Sequence, residues 1–376
     1  MEIYLDNNAT TKVDPSVIDV IISYLRENYG NASSIHKSGV RSSIAVEKAR
    51  KIIADKIGCL CSEIYFTSGG TESNNFAIKG VANTLGLKSG KNHIITSSIE
   101  HPSILEVCRY LQTVGYKVTY IPVDKNGFVN IEEIAKNINE NTFIVSIMHA
   151  NNEIGTIEPL EEIGKICRKR KVLFHTDACQ SFTKTLLDVN KHNIDLATLN
   201  SHKVHGPKGI GALYIRKGVR VTPLLNGGGQ ESDMRPGTYN TPLIAGFGKA
   251  VEIASENDSK KIASLRDYFI DKIICKNNGI VLNGPTGDER LCNNINILVK
   301  NLSGKKLFRE LNKRNIFIST GSACSSTVLT PSHVLLSIGC SEEESHSSVR
   351  ISLSKWTTKE ELEITVNAIE EISKSS

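Results

Sequence analysis

Five clusters of polar residues follow short apolar runs in this 376-residue sequence, and each contains side chains that could bind a ligand or catalyse a reaction. The clusters lie at 67–75, 100–102, 149–153, 175–180 and 200–203. Any single cluster could also be an ordinary loop with turn-forming residues. Together they indicate one site, because ligands of open parallel sheets bind beyond the carboxyl ends of the strands.

Lys203 has the most specific chemistry among these residues. It follows an apolar run, stands beside His202 and precedes the glycine-rich stretch 206–211. Most lysines are solvated, but a lysine in a buried pocket can lose its proton and form a Schiff base with a carbonyl compound. Lys208 is the alternative for this role.

Three other clusters supply groups that suit a phosphorylated ring. The Gly-Gly-Thr sequence at 69–71 can offer backbone N–H groups to a phosphate, unless it is a plain turn between a strand and a helix. Asp177 can pair with a protonated ring nitrogen or cap a helix. His101 can stack on a ring or be an ordinary surface histidine. With Lys203, these are the groups that bind pyridoxal 5′-phosphate.

One of the nine cysteines has an unusual setting. An odd number of cysteines in a chain of this length does not favour a disulfide framework. Cys324 lies in the polar stretch 319–327, whereas a structural cysteine has apolar neighbours. We therefore expect Cys324 to be reactive, with an incidental exposed thiol as the alternative. Arg350 alternates with apolar residues, and would form a buried ion pair or bind a substrate carboxylate.

The elements that must position these residues alternate between strands and helices. A helix is predicted after the N-cap Asp14 and Pro15. Strands are predicted at 64–66, 93–96, 118–123, 142–148, 172–174, 196–199 and 212–215. Continuous apolar strands separated by helices predict an α/β fold, with a mainly parallel sheet covered by helices.

The pattern changes from about residue 255 onward. Short strands are predicted at 281–282, 295–299 and 316–318, and Thr358 with Glu361 forms a capping box that begins a last helix. We expect a large cofactor-binding domain at 14–254. A smaller α+β domain, made of 1–13 and 255–376, would carry the cysteine.

Composition excludes several classes of protein. Hydrophobic residues make up 39% and charged residues 23%, which is typical of a soluble globular chain. A net charge of +5 without a basic cluster argues against a direct nucleic-acid partner. The N-terminus lacks the features of a signal peptide, and no apolar stretch approaches the ~20 residues that span a bilayer. We expect a cytoplasmic protein without a membrane partner.

The chain resembles the cysteine desulfurases of the NifS/IscS group, which are pyridoxal-phosphate enzymes of the aminotransferase-like class. The resemblance covers nearly the whole chain, from residue 4 to 353. The matching segments are 4–11, 68–75, 99–102, 151–156, 175–178, 202–209, 227–231, 235–238 and 321–325.

The resemblance implies a role for each site residue. Lys203 would form the Schiff base, His101 would stack on the ring, Asp177 would pair with the ring nitrogen, and Gln180 would bind the ring hydroxyl. Asn151 and Arg350 would hold the substrate. The remaining implied cofactor ligands are Gly70, Thr71, Asn151, Asn200, Ser201, His202 and, from the second subunit of a homodimer, Thr238.

The resemblance also implies the reaction. Cys324 would attack the sulfur of L-cysteine, gain a persulfide and release L-alanine, and the sulfur would pass to an iron–sulfur scaffold or a tRNA-thiolating enzyme. Selenocysteine lyase activity is a nearby alternative. A metal-binding or sulfur-scaffold protein is the alternative of a different class, with ligands of types that metals prefer. Those candidate ligands are His175, Asp177, Cys179, His202 and His205.

Three residues depart from the family pattern. Asn200 replaces a phosphate-binding serine, so cofactor affinity is expected to differ. Ser354 replaces a glycine, and Ala32 replaces a proline.

Overall fold

The computed structural model describes residues 2–86, 89–275, 279–320 and 330–374. A seven-stranded sheet forms its centre. The strands are β2 (Ile64–Thr67), β3 (His93–Ser97), β4 (Lys117–Ile121), β5 (Thr142–Ser146), β6 (Leu173–Asp177), β7 (Leu196–Asn200) and β8 (Gly211–Ile215). Their order is β2-β8-β7-β6-β5-β3-β4, and of these seven strands β8 alone runs opposite to the other six.

Helices cover both faces of this sheet. They are α1 (Pro15–Arg26), α2 (Lys37–Ile57), α3 (Gly70–Leu85), α4 (Pro102–Thr113), α5 (Ile131–Asn137), α6 (Leu160–Arg170) and α7 (Thr241–Glu252). Successive strand residues pack into different cores: Ile95 and Val145 belong to the core beneath α2, α6 and α7, while Ile94 and Ile144 belong to the core beneath α3 and α4. Both faces are therefore buried, as the continuous apolar strands predict.

A smaller sheet occupies the C-terminal part. Its elements are α8 (Glu256–Cys275), β9 (Ile280–Leu282), β10 (Asn294–Val299), α9 (Gly304–Lys313), β11 (Ile316–Phe317), β12 (Ser319–Thr320), α10 (His333–Ser337), α11 (Glu342–His346), β13 (Ser348–Ser352) and α12 (Lys359–Lys374). Four strands form an antiparallel sheet in the order β12-β13-β10-β9, and β1 (Ile3–Tyr4) pairs in parallel with β11. The predicted fold class is confirmed, whereas the division at 14–254 stays a prediction.

The helix boundaries follow local capping signals. Asp14 accepts a hydrogen bond from the N–H of Ser16 at the start of α1. Thr358 and Glu361 form the reciprocal bonds of the predicted capping box before α12. Across the described residues, each helix is too short or too polar to span a membrane.

Several strands extend further than the sequence predicts, and two of them, β6 and β7, carry predicted site residues in the extension. β6 continues through His175 to Asp177, and β7 ends at Asn200. Polar residues are tolerated on these buried strands because neighbouring strands supply hydrogen-bond partners. The ring nitrogens of His175 contact Ser146 Oγ at 2.8 Å and Thr198 Oγ1 at 3.1 Å. Asp177 and Asn200 thus end their strands rather than lying in the loops beyond them.

A buried ion pair holds the segment that follows β8 against β2. Both carboxylate oxygens of Glu231 bind the Arg50 guanidinium, at 2.7 and 2.8 Å, and one also accepts from the N–H of Phe66 at 2.8 Å. Glu231, Ser232 and Asp233 have φ of 50°, 54° and 65°, a conformation that costs non-glycine residues energy. The pair therefore stabilises a strained turn.

Replacing Arg50 with methionine should destabilise the protein by about 3–5 kcal/mol, because Glu231 would keep a buried charge without its partner. The midpoint of urea unfolding, followed by circular dichroism, measures the loss. Lys51→Met is the matched control, since Lys51 lies on the same helix in an exposed pair with Asp55. Equal shifts in the two variants would contradict a structural role for the Arg50–Glu231 pair.

Candidate active site

One cavity of about 270 Å³ lies at the carboxyl ends of β2, β3, β5, β6 and β7. All five polar clusters contribute to its lining, joined by β13. The predicted site residues that line it are Gly70, Thr71, His101, Asp177, Gln180, Asn200, His202, Lys203 and Arg350. Residues more than 270 positions apart in the sequence therefore meet at one edge of the sheet.

Some predicted site residues do not line this cavity. The Asn151 amide donates to the carbonyl of Ile99 at 3.0 Å and accepts from the N–H groups of Glu153 and Ile154, so it shapes the loop after β5. Ser201 is fully buried. Thr238 lines a separate cavity. Cys324 lies outside the described residues.

The N-terminus of α3 lies at the cavity, and its first residue there is a glycine. Gly69 precedes the helix with φ 153°, and no side chain caps the first turn. The leading N–H groups of a helix have no partner within it, and with the helix dipole they attract an anion. A Cβ on Gly70 would lie 2.6 Å from Cys179 Sγ, so only glycine fits without rearrangement. This turn has the properties of a phosphate site.

Asp177 is a buried carboxylate held by a chain of hydrogen bonds. Its oxygens accept from Asn74 Nδ2 at 2.7 Å and from the N–H of Cys179 at 2.9 Å. Burial raises the pKa of Asp177, but its electrostatic interaction with His101 and the hydrogen bonds from Asn74 and Cys179 outweigh burial, so the pKa lies below its usual value. Asp177 is therefore ionised and can pair with a cationic ring nitrogen.

His101 is the N-cap of α4, and its imidazole is neutral near pH 7. Its Nδ1 accepts from the N–H of Ser103 at 3.1 Å, which places the hydrogen of the neutral ring on Nε2. Burial first, and then the charge of Lys203, lower the pKa of His101 to about 4, although Asp177 opposes the shift. Above that pH the ring is an uncharged plane at the cavity wall, suited to stacking on an aromatic ligand.

Arg350 forms a buried ion pair, the first of the two predicted alternatives, whereas binding of a substrate carboxylate stays a prediction. Its Nη2 donates to Asp6 Oδ1 at 2.9 Å, and its Nη1 donates to the carbonyl of Asn152 at 3.2 Å. Its Nε has no partner within the described ranges, although the side chain is buried and lines the cavity. The guanidinium is thus fixed by protein contacts and keeps a donor for a carboxylate.

Polar atoms without partners surround the same cavity. Within the residues that the structure describes, they include Asn74 Oδ1, Gln180 Oε1, Asn200 Oδ1 and Arg350 Nε. Buried polar atoms nearly always have hydrogen-bond partners, so this group indicates a polar ligand. An anion site, an ionised acid, a neutral ring and a lysine around one cavity fit pyridoxal 5′-phosphate.

The structural evidence favours Lys203 over Lys208, and a ring cofactor over a metal. Lys203 lines the cavity, whereas Lys208 is exposed. His175 uses both ring nitrogens within the sheet. In the part of the chain that the structure describes, no three His, Cys, Asp or Glu side chains are arranged to hold a metal ion.

Residues 3–364 match the family model "Aminotransferase class-V". The cysteine desulfurase IscS of Dictyoglomus turgidum is 46% identical over 374 residues, which cover 99% of this chain and 94% of that protein. The chain belongs to the cysteine desulfurases of the class-V aminotransferase family. Members of this family use pyridoxal 5′-phosphate.

Solved structures of desulfurase-like proteins agree with this family assignment. A NifS-like protein superposes with a TM-score of 0.93 at 40% identity, covering 100% of both chains. The structure of SspA in complex with cysteine has a TM-score of 0.85 at 40% identity, and covers 95% of this chain and all of that one. The predicted family and fold are therefore confirmed.

Sequence reasoning missed several residues of the desulfurase cavity. Asn8 lines it and accepts, through its carbonyl, a hydrogen bond from Gln180 Nε2 at 3.0 Å. Asn74 links Asp177 to Ser103 Oγ, with the latter contact at 2.8 Å. Asn74 lies one helical turn after Gly70, on the same face of α3. This spacing could have identified Asn74 as a cavity residue from the sequence.

Gly70→Ala should weaken pyridoxal-phosphate binding by about tenfold or more. The added methyl group would overlap Cys179 Sγ at the N-terminus of α3. Adding Cys179→Ala should restore most of the affinity, since it removes the overlapping atom. Titration of the stripped protein with cofactor, followed by absorbance, measures both effects. Cys179→Ala alone is the control, and independent, additive losses in the double variant would contradict this steric explanation.

Proposed function

We propose that the protein converts L-cysteine to L-alanine and transfers the sulfur atom to Cys324 as a persulfide. The observation that carries the proposal is the meeting of Lys203, ionised Asp177, the α3 N-terminus and Arg350 around one cavity. Family membership and a relative whose structure contains cysteine support the choice of substrate.

In this proposal, the residues on each side of the cavity bind a different part of the cofactor. The first N–H groups of α3 at Gly70 and Thr71 would hold the phosphate, together with Asn200 and His202. Asp177 would hold the ring nitrogen, Gln180 would hold the ring hydroxyl, and His101 would stack on the ring. Lys203 would supply the amine for covalent attachment. Ser201 and Asn151 would act mainly by shaping the cavity wall, because their side chains do not line it.

When bound, pyridoxal 5′-phosphate supplies the electron sink that weakens bonds at the substrate's carbon atoms. Arg350 holds the substrate carboxylate through the Nε that the protein leaves without a partner in the described ranges. Asp6 and Asn152 fix the guanidinium, so the carboxylate is bound in one orientation. Neutral His101 can accept or donate one proton at the cavity wall.

The sulfur atom leaves the substrate by attack of a thiolate. The Cys324 thiolate forms an S–S bond to the sulfur of L-cysteine while the carbon–sulfur bond breaks. The electron pair of the broken bond stays with the carbon, which takes a proton to give the methyl group of L-alanine. Cys324 then carries the persulfide to an acceptor protein, either an iron–sulfur scaffold or a tRNA-thiolating enzyme.

A homodimer completes the proposed site. Thr238 lies outside the cavity of its own chain. Large apolar side chains are exposed on α1, on α2 and between them. These are Ile18, Ile22, Leu25, Tyr29, Ile35, Val40 and Ile44. Exposed apolar groups of this extent are typical of protein interfaces. A cavity lined by Ala32, Ser43, Gln230 and Tyr239 connects this surface to the Thr238 segment. A second copy of the chain would bring Thr238 to the phosphate.

The cytoplasm is the compartment that suits this chemistry. Cysteines at 59, 61, 108, 167, 179, 275, 292 and 340 are free thiols in the described part of the chain. A reducing compartment keeps such thiols free and allows a persulfide to pass between proteins.

Lys203→Ala should abolish the covalent attachment of the cofactor, because among the described residues Lys203 is the lysine that lines the cavity. Borohydride reduction followed by mass spectrometry of peptides measures attachment, which should appear on Lys203 in the unmodified protein. Lys208→Ala is the control and should retain it, since Lys208 is exposed. A reducible covalent cofactor in the Lys203 variant would refute the assignment.

Cys324→Ser should bind cofactor and L-cysteine yet form no sulfide and no alanine, because serine cannot accept the sulfur atom. Mass spectrometry after addition of cysteine should show one extra sulfur atom on the peptide that contains Cys324. Cys275→Ser is the matched control, since Cys275 is an exposed thiol elsewhere in the chain. Turnover at the unmodified rate in Cys324→Ser would remove that residue from the reaction.

A further inference from the structure

A second lysine lies behind the residues that line the cofactor cavity. Lys184 follows β6, and its Nζ donates to the carbonyl oxygen of Gln180 at 2.9 Å. The side chain is half-buried. The side chain of Gln180 lines the cofactor cavity. The proposed reaction gives Lys184 no role.

Lys184 and Lys203 share a small cavity. Its volume is about 40 Å³, and both lysines line it, with Val204 and Ile253 among the apolar residues. Space of this size holds about one water molecule. Two positive charges facing such a space are poorly screened, so they repel one another more strongly than two exposed lysines would.

The other titratable groups around Lys184 are mostly uncharged. His202 and His205 have their pKa lowered to about 4, by burial first and then by neighbouring cations, so both are neutral near pH 7. Burial raises the pKa of the Cys179 and Cys292 thiols, which are therefore also neutral. Lys355 lines the small cavity but pairs with Asp14 at 2.6 Å. Asp258 is the acidic residue on its lining.

We propose that Lys184 is a positioning residue whose positive charge favours the deprotonated, nucleophilic form of Lys203. The proposal rests on the proposed function, in which Lys203 bonds to the aldehyde of the cofactor. A nearby like charge disfavours the protonated form of an amine and so lowers its pKa. A lysine next to another cation is one of the known ways to activate this nucleophile.

The direction of the pH effect follows from the charge of Lys184. Burial first, and then the charge of Lys203, lower the pKa of Lys184 to about 8. Below that pH Lys184 is charged and opposes a second charge on Lys203. Above it the influence of Lys184 disappears. The effect is therefore present at neutral pH, where Lys203 must be deprotonated to react.

The test compares Lys184→Gln with Lys184→Arg. Glutamine keeps a donor for the Gln180 carbonyl but has no charge, whereas arginine keeps both donor and charge. The measured quantity is the pH midpoint for acylation of Lys203, followed by peptide mass spectrometry on the full chain stripped of cofactor. The pH midpoint of the visible absorption band of the loaded protein is the second readout.

The midpoint should rise by about one pH unit in Lys184→Gln, because removing a neighbouring like charge makes protonation of Lys203 easier. In Lys184→Arg it should equal or fall below that of the unmodified protein. Lys208→Gln, which removes an exposed cation from the turn after Lys203, should shift it much less, because water and salt screen that charge.

An unchanged or lowered midpoint in Lys184→Gln would overturn the proposal, as would an equal rise in the glutamine and arginine variants. If Lys184 had a purely structural role, both variants would have a lower melting temperature. The pH midpoint would then not be higher in Lys184→Gln than in Lys184→Arg. Failure of the proposed function has a different signature, since the unmodified protein would then show no reducible cofactor on Lys203.

Discussion

The buried negative charge of Asp177 is the constraint on which the site depends. An ionised carboxylate in a protein interior is unfavourable unless it has hydrogen bonds and nearby positive charge. Here the N–H of Cys179 and the amide of Asn74 supply the hydrogen bonds. Asn74 is placed by α3, whose start is fixed by the Gly-Gly turn, and Cys179 is placed by the end of β6. The parallel sheet is therefore needed because it brings a strand end and a helix N-terminus to the same edge.

The imidazole rings near Asp177 are neutral although its negative charge favours protonation of His101. His101 and His202 have their pKa lowered to about 4, with burial as the largest cause in each case. Two neutral imidazoles leave the carboxylate available to a cation that enters with a ligand. A ring nitrogen held by Asp177 would bind as a cation, because a buried ion pair is favourable only when both charges are retained. The same neutrality allows His101 to lie against a positively charged ring without repelling it.

Much of this arrangement could be predicted from sequence, because parallel strands place their following residues at one edge. That rule identified Gly70, His101, Asp177 and Lys203 without knowledge of the strand order. It could not place Asn8 or Ser103, whose contacts depend on how distant segments pack. Nor could it orient Asn151, which follows a strand as the others do but turns its amide into its own loop. Residue type and spacing predict proximity, whereas the direction of a side chain depends on backbone geometry beyond the strand end.

The substrate side of the cavity depends on three separate parts of the chain. Arg350 comes from β13, its ion-pair partner Asp6 from the N-terminal segment, and its second acceptor, the carbonyl of Asn152, from the loop after β5. Asn8 adds a further link, since its Nδ2 donates to the same carbonyl at 3.1 Å. The large sheet alone thus provides the cofactor groups but not a fixed guanidinium. A carboxylate bound by Arg350 is oriented only when the N-terminal segment and β13 pack on the loop after β5. The cofactor contacts proposed within one chain thus lie at one sheet edge, whereas the carboxylate contact proposed for Arg350 also requires the N-terminal segment and β13 to pack there.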